Sequence, residues 1–341
     1  MRACFPAVYP ETTSDKHNTT LIMKPVFFLS LGIVCIMAAC NNPSANETTL
    51  AGREGKADTI SCPPGSSRLN IPVIERVTGM KGTEKNGEYK ITVPQNDLTI
   101  VVDGFKIIPP MGLGSWAAFT PCGDTVMVMG DVIVTENDLK PVQQEVIRQG
   151  FSITAIHNHF VRNRPHVMYM HIDGRGTTEN VSSAVKAIFD KVNESRGKDP
   201  KASPADSVTN TLNLAVLDSI IGAKGEMNKG VYKYTIGRPD VSLQEHGIPV
   251  SAFMGFNTWA AWQGTPEKAA VAGDFTMLEN EVAPVIKALV ENGIEVVAVH
   301  NHMVQEEPRI FFLHYWGVGN AEQLAGGLKA ALAETGKGNM H

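Results

Sequence analysis

Two short stretches of this chain are nearly identical: Ala155-Ile-His-Asn-His159 and Ala298-Val-His-Asn-His302. Each is followed, at the same distance, by one more histidine, His171 or His314. When the chain is aligned with itself at an offset of 143 residues, no gap is needed from about residue 74 to residue 189. The chain therefore contains two copies of one unit, and the three histidines occupy equivalent positions in both.

Other identical positions lie along the whole unit. They are Gly79 and Gly222, Tyr89-Lys90 and Tyr232-Lys233, Trp116-Ala-Ala118 and Trp259-Ala-Ala261, Gly130-Asp131 and Gly273-Asp274, and Glu136-Asn137 and Glu279-Asn280. Glu-Asn directly before a helical pattern favours helix capping over catalysis for Glu136 and Glu279.

The composition is that of a folded protein. Of 341 residues, 43% are hydrophobic and 19% are charged, so there is enough apolar material for buried cores. The net charge of -5 shows no basic surplus, which argues against nucleic acid as a partner.

Each copy shows the same order of predicted elements: a helix, several strands, a helix, a hairpin and a final helix. This order predicts an α+β fold of two tandem units with mainly antiparallel sheet. The predicted divisions are a signal peptide at 1–39, a lipidated tether at 40–70, the first repeat unit at 71–192, a linker at 193–211 and the second repeat unit at 212–335.

The N-terminal segment has the features of a targeting signal. From Met23, which we expect to be the true start, Lys24 precedes the apolar run Pro25–Met37 and then Ala38-Ala-Cys40. That run is too short to span a bilayer and looks like a bacterial lipoprotein signal, with cleavage before Cys40 and lipidation of its thiol. We expect a cell-envelope protein, periplasmic or in the outer membrane, anchored through Cys40. An uncleaved anchor or a chance apolar start is the alternative.

Two cysteines remain after the leader and Cys40 are set aside. Cys62 lies outside the repeat and Cys122 has Thr265 at its equivalent position, so both were added to the first half only. In an oxidising compartment they could form a disulfide, or they could be two unrelated thiols.

The histidines of each copy are predicted to converge. His157 and His159 are two residues apart on the predicted strand 151–160 and so point to one face. If the turn 161–165 returns the chain antiparallel, Ala155 faces His171 and Tyr169 faces His157, which brings all three imidazoles together. A slip of one residue would send His171 to the opposite face.

Three imidazoles with an open fourth position are typical of a catalytic zinc site, although copper, iron or nickel also suit imidazole. We therefore expect a divalent metal, zinc above all, with the ligands His157, His159, His171, His300, His302 and His314. Packed, hydrogen-bonded histidines without metal are the alternative. The sequence leaves open whether the copies form two sites or one shared site.

The copies differ near the predicted hairpins. Asp103 is replaced by His246, and Asn163-Arg164 by Glu306-Glu307. These differences make Glu306, Glu307 and His246 candidates for proton transfer in the second copy, and that copy the more active of the two. Surface drift at a hairpin tip explains the glutamates equally well.

The leader, the duplication, Met-Gly-x-x-x-Trp-Ala-Ala and His-Asn-His together make the chain resemble the LppY/LpqO family of bacterial lipoproteins, which brings no established activity. The histidine motif is also similar to that of acetolactate decarboxylase, where a His-x-His pair and a third histidine hold zinc in an α/β fold. This likeness implies metal ligation by the same six histidines. The spacing to the third histidine is one residue longer here, and that family's arginine and glutamates find no match.

These observations predict a lipid-anchored metalloenzyme, a hydrolase or lyase of a small carbonyl or ester substrate. The alternative is a lipoprotein that binds a metal or small ligand without transforming it. A third possibility is an envelope scaffold whose histidines are only packed.

Overall fold

The computed structural model describes residues 68–197 and 207–336. The predicted signal peptide, Cys40 and Cys62 lie outside these residues, as does most of the predicted tether. Three helices occur in each copy: α1 (Ile71–Thr78), α2 (Glu136–Arg148) and α3 (Thr178–Arg196), then α4 (Leu214–Ile221), α5 (Glu279–Glu291) and α6 (Ala321–Leu332). Within the described ranges, no helix is both long and apolar enough to cross a membrane.

The strands repeat in the same order. Those of the first copy are β1 (Thr83–Lys85), β2 (Glu88–Pro94), β3 (Ile100–Val102), β4 (Phe105–Ile107), β5 (Gly114–Cys122), β6 (Thr125–Thr135), β7 (Ser152–His157) and β8 (Val167–Gly176). Those of the second are β9 (Glu226–Asn228), β10 (Val231–Gly237), β11 (Gln244–Glu245), β12 (Ile248–Pro249), β13 (Asn257–Gly264), β14 (Ala269–Leu278), β15 (Glu295–His300), β16 (Glu306–Glu307) and β17 (Ile310–Gly319). A short 3-10 turn precedes β5 and β13, at Pro109–Met111 and Ala252–Met254.

Each copy builds one six-stranded antiparallel sheet. The orders are β1-β2-β5-β6-β8-β7 and, equivalently, β9-β10-β13-β14-β17-β15. The predicted α+β class with two tandem units and mainly antiparallel sheet is confirmed. Helix α3 continues to Arg196, beyond the predicted limit of the first unit, and ends where Gly197 adopts a positive φ of 63°.

Both sheets are buried on two faces. One face of each packs against the helices of its own copy: Val128 and Val185 belong to one hydrophobic cluster, and Val271 and Leu324 belong to another. The other face meets the second copy, where Tyr169 clusters with Ala272, and Met129 with Phe312. This explains the nearly unbroken burial along β6 and β14. The described residues of the two copies thus belong to one compact unit.

The predicted hairpin register is confirmed. Ala155 pairs with His171 and His157 with Tyr169, and in the second copy Ala298 pairs with His314. The strand ends differ from the prediction, because β7 stops at His157. Residues 158–166 leave the sheet and reach the other copy, where Arg162 forms an ion pair of 2.7 Å with Glu295.

Candidate metal centre

Six histidines, three from each copy, meet between the two sheets. Five of them are buried and His300 is half-buried. The closest ring pairs each join one copy to the other, with centroid distances of 3.7 Å for His157 and His300, 3.7 Å for His159 and His314, and 3.9 Å for His171 and His302. Exchanging the copies maps these contacts onto one another, so the cluster has approximate two-fold symmetry.

The groups that could hold a metal ion draw on both copies. One consists of His157, His159 and His314, and another of His157, His171 and His300; within each group the ligand nitrogens lie within 4.8 Å of one another. Among the described residues, no such group consists of the three histidines of one copy. The predicted histidines therefore converge, but in combinations that cross the repeat.

Backbone carbonyls orient two of the imidazoles. His314 Nδ1 lies 3.1 Å from the carbonyl oxygen of Gly273, which can only accept, so this nitrogen donates. His171 is hydrogen-bonded to the backbone of Gly130, the equivalent residue. In both rings Nε2 is buried and has no hydrogen-bond partner. A lone pair on Nε2 is thus free for a ligand, as in metal sites where the other ring nitrogen fixes the tautomer.

The imidazoles are held neutral. Burial lowers the pKa of His171 and of His314 to about 3, and burial together with neighbouring imidazoles lowers the pKa of the other four well below the ordinary value. Neutral imidazole is the form that binds metals. Both ring nitrogens of His157 and of His300 are also buried without partners, and such groups are costly unless a ligand satisfies them.

The cluster differs between copies in one stacked ring. Tyr169 lies on His159 at a centroid distance of 3.4 Å, and Phe312 lies on His302 at 3.3 Å. The hydroxyl of Tyr169 is buried and unpartnered, so it is a polar group that the second copy does not supply.

A cavity of about 440 Å³ opens beside the cluster. Both copies contribute equivalent residues to its wall: Lys90, Trp116, Asp131, His159, His171 and Gly112 from the first, and Lys233, Trp259, Asp274, His302, His314 and Gly255 from the second. One cavity therefore borders four of the six histidines, two from each copy: His159, His171, His302 and His314.

Buried charged groups line this cavity in pairs. Burial lowers the pKa of Lys90 and of Lys233 to about 8, and their ammonium nitrogens lie 4.3 Å and 4.2 Å from the ring centres of Trp116 and Trp259. Burial raises the pKa of Asp131 to about 8, an effect that Lys90 opposes, and it raises the pKa of Asp274 well above the ordinary value. At neutral pH the wall therefore carries mainly ammonium groups and protonated carboxyls.

The Met-Gly-x-x-x-Trp motif has a structural reason. Gly112 has φ of 97°, and a Cβ there would lie 3.0 Å from Trp259 and 3.2 Å from Nδ1 of His159. Gly255 has φ of 105°, and a Cβ there would lie 3.3 Å from Trp116. Each glycine lets the tryptophan of the other copy approach the centre, a role that favours glycine both for its φ and for its size.

The predicted proton-transfer residues lie elsewhere. None of His246, Glu306 and Glu307 lines the cavity. His246 is next to Asp173 and Glu245, while the buried carboxylate of Glu306 accepts from Arg309 at 3.0 Å. Glu307 is exposed and pairs with Gln244 across β11 and β16. The strands that carry or flank these residues, β11, β12 and β16, form a separate small sheet.

Of the two cysteines in the predicted disulfide, only Cys122 lies within the described residues. Cys122 is disulfide-bonded and is the only cysteine in the described residues, so its pairing with Cys62 stays a prediction. The capping prediction has a refinement: Glu136 and Glu279 begin α2 and α5, but the carboxylates that cap these helices belong to Asp138 and Glu281.

Sequence reasoning missed four residues of the cavity wall: Lys90, Lys233, Asp131 and Asp274. The signal that could have found them is the repeat itself, because both pairs are identical at the 143-residue offset. Their contribution was not recognised because neither lies near the histidine motif in sequence.

Fold and site together define an α+β protein of two fused copies that share one histidine-lined cavity. The chain belongs to the family described as Domain of Unknown Function (DUF1259), whose model matches residues 73–191 and 215–334. No curated protein matches the chain.

Among solved structures, the chain is similar to EtuB from Clostridium kluyveri, with 6% identity over 74% of this chain and 90% of that one and a TM-score of 0.18. It is also similar to the trimeric bacterial microcompartment shell protein PduB, with 10% identity over 75% of this chain and 90% of that one and a TM-score of 0.18. TM-scores this low do not establish a shared fold.

Proposed function

We propose that the six histidines bind a divalent metal ion, zinc in the first instance, and that the cavity beside them admits a small anionic substrate. The observation that carries this proposal is the set of buried, neutral and unpartnered imidazole nitrogens from both copies beside one cavity. The donor set fits the ion, since three imidazoles with an open position are a catalytic type of zinc site.

The reaction we propose is hydrolysis or lyase cleavage of a small carbonyl or ester compound. A bound divalent ion supplies Lewis-acid polarisation of a carbonyl oxygen. Lys90 and Lys233 would bind an anionic group of the substrate, since each keeps an ammonium at neutral pH in a site of low solvent access. Asp131, protonated below its pKa of about 8, can donate a proton or a hydrogen bond. The likeness to acetolactate decarboxylase agrees with this reaction class.

The test is turnover of a panel of small esters and keto or hydroxy acids by zinc-loaded protein. We expect activity that is lost on chelation, restored by zinc and lost in His314→Ala. The control is His166→Ala, because His166 lies outside the cavity wall, 3.8 Å from Glu136. Stoichiometric metal without turnover would favour the non-catalytic binding protein. Protein without metal would contradict both and favour the scaffold.

We further propose that the protein is a lipoprotein of the cell envelope, anchored through Cys40. The Ala38-Ala-Cys40 sequence and the resemblance to the LppY/LpqO lipoproteins support this placement. Fatty-acid labelling of the expressed chain should be lost in Cys40→Ser. Equal labelling of the variant would contradict the anchor.

A further inference from the structure

The copies meet at two equivalent junctions, and these junctions differ at several positions. On one side, Arg162 donates to Asp103 at 2.9 and 3.0 Å and to Glu295 at 2.7 and 3.0 Å. Nε1 of Trp316 also donates to Asp103, at 2.9 Å. A guanidinium therefore holds two carboxylates together and joins the copies.

At the equivalent junction on the other side, the sequence has no cationic residue at the position of Arg162. At the offset of 143 residues, Gln305 is equivalent to Arg162 and His246 is equivalent to Asp103. Asp173 is equivalent to Trp316. Glu245 is new as well, because its equivalent is Val102. The exchange removes the fixed positive charge and brings in a donor set of two carboxylates and an imidazole.

Asp173, Glu245 and His246 are already gathered. Their ligand atoms lie within 4.8 Å of one another. Nε2 of His246 is 3.6 Å from Asp173 Oδ2 and 3.5 Å from Glu245 Oε1, too far for good direct hydrogen bonds. The three side chains surround a common space without closing it.

The carboxylates have unused, buried oxygens. The Glu245 side chain is only 1% exposed, and its Oε2 has no hydrogen-bond partner, while Oε1 accepts from the backbone of Gln305 at 3.3 Å. Oδ1 of Asp173 is likewise buried and unpartnered. Oε2 of Glu306, opposite Glu245 across β11 and β16, is a third such oxygen.

Neighbouring arginines are engaged elsewhere. Arg309 donates to Glu306, and Arg175 donates to Thr125 and to Cys122. Burial raises the pKa of Asp173, and Arg175 has the smallest effect on it among the neighbouring groups. Neither guanidinium takes the bridging place that Arg162 takes on the other side.

We propose that a divalent transition-metal ion, zinc or manganese, binds between Asp173, Glu245 and His246 and replaces the bridging role of Arg162. Carboxylate oxygen and imidazole nitrogen are suitable ligands for both ions. The ion joins β8 of the first copy to the β11–β12 turn of the second. His246, with a side chain 40% exposed, leaves a path from solvent. This site is separate from the histidine cluster and does not depend on its proposed function.

The test counts zinc ions bound to the metal-stripped full chain, in the wild type and in a His157→Ala/His300→Ala background. In both backgrounds Glu245→Gln should lose one ion per chain, and zinc should no longer raise its Tm through this site. The matched control is Glu295→Gln on the opposite side, which should keep the ion count. An unchanged count in Glu245→Gln would overturn the proposal.

A second variant guards against misfolding. His246→Asp with Gln305→Arg recreates the arrangement of Asp103 and Arg162, so the chain should fold without metal and bind one ion fewer than the wild type. If this double variant folds and keeps the full ion count, the site is not where we place it. Loss of the histidine-cluster metal alone would leave these outcomes unchanged.

Discussion

The central imidazoles are neutral bases in a place that excludes water, and this determines how the metal-free protein responds to acid. An unfolded histidine has a pKa of about 6.5, whereas His171 and His314 in the fold have a pKa of about 3. Between these values the unfolded chain binds more protons, so the free energy of unfolding falls as the pH falls. Asp131 has the opposite sign: its pKa of about 8 makes the folded chain bind more protons up to that pH.

We therefore expect the Tm of chelated protein to be highest near pH 6.5. It should fall steeply towards pH 4, where six imidazoles outweigh two carboxyls, and only slightly towards pH 8. There the loss from Asp131 and Asp274 is partly offset by Lys90 and Lys233, whose pKa of about 8 in the fold lies below that of an unfolded lysine. Thermal unfolding across this range is the measurement. The double variant His171→Gln/His314→Gln should reduce the fall of Tm towards acid pH. Asp131→Asn should reduce the fall of Tm towards alkaline pH. A Tm that rises on acidification to pH 5 would contradict these protonation states.

The histidines could be predicted from sequence because a doubled His-x-His with a third histidine is a local, repeated pattern. The repeat marks Lys90 and Asp131 as identical in both copies, but their place in the cavity wall follows from the sheet order β2-β5-β6-β8. No local pattern determines that order. His246 and Glu306 were candidates because they differ between the copies, and a difference between repeats does not report where a residue lies in the fold.

At the scale of elements, the 3-10 turns hold the tryptophans against the centre. Gly112→Ala should reduce the free energy of unfolding by about 2–4 kcal/mol, combining backbone strain with overpacking against Trp259. Gly104→Ala is the matched control, because Gly104 also has a positive φ, 85°, but nothing within 4 Å of an added Cβ. It should cost about 1 kcal/mol from strain alone.

Urea unfolding of the chelated variants measures both losses, and zinc titration should show weakened binding only for Gly112→Ala, which crowds His159. Equal losses in the two variants would mean that the turn does not support the site. The β7–β8 register was predictable because one face of the hairpin has to carry the histidines. The end of β7 at His157 was not, since the following loop leaves the sheet for contacts with the other copy.

At the scale of the whole molecule, the duplication brings the histidines of both copies together in one cluster. The sequence left this open, because equivalent residues look the same whether the copies stand apart or share a cavity. The expectation of a more active second copy rested on His246, Glu306 and Glu307, and none of these lines the cavity. The remaining differences at the centre are small. For example, Tyr169 of the first copy is replaced by Phe312 in the second.

The central claim is that metal ligands combine across the copies, and two triple variants test it directly. The first variant, His171→Ala/His300→Ala/His302→Ala, keeps a mixed set of ligands, His157, His159 and His314. The second variant, His300→Ala/His302→Ala/His314→Ala, keeps the three histidines of the first copy. Both carry Glu245→Gln to remove the second site, and circular dichroism checks their folding. Zinc content after equilibrium dialysis should be one ion per chain for the mixed set and near none for the single-copy set. Zinc retained by the single-copy set and lost by the mixed set would contradict the shared centre.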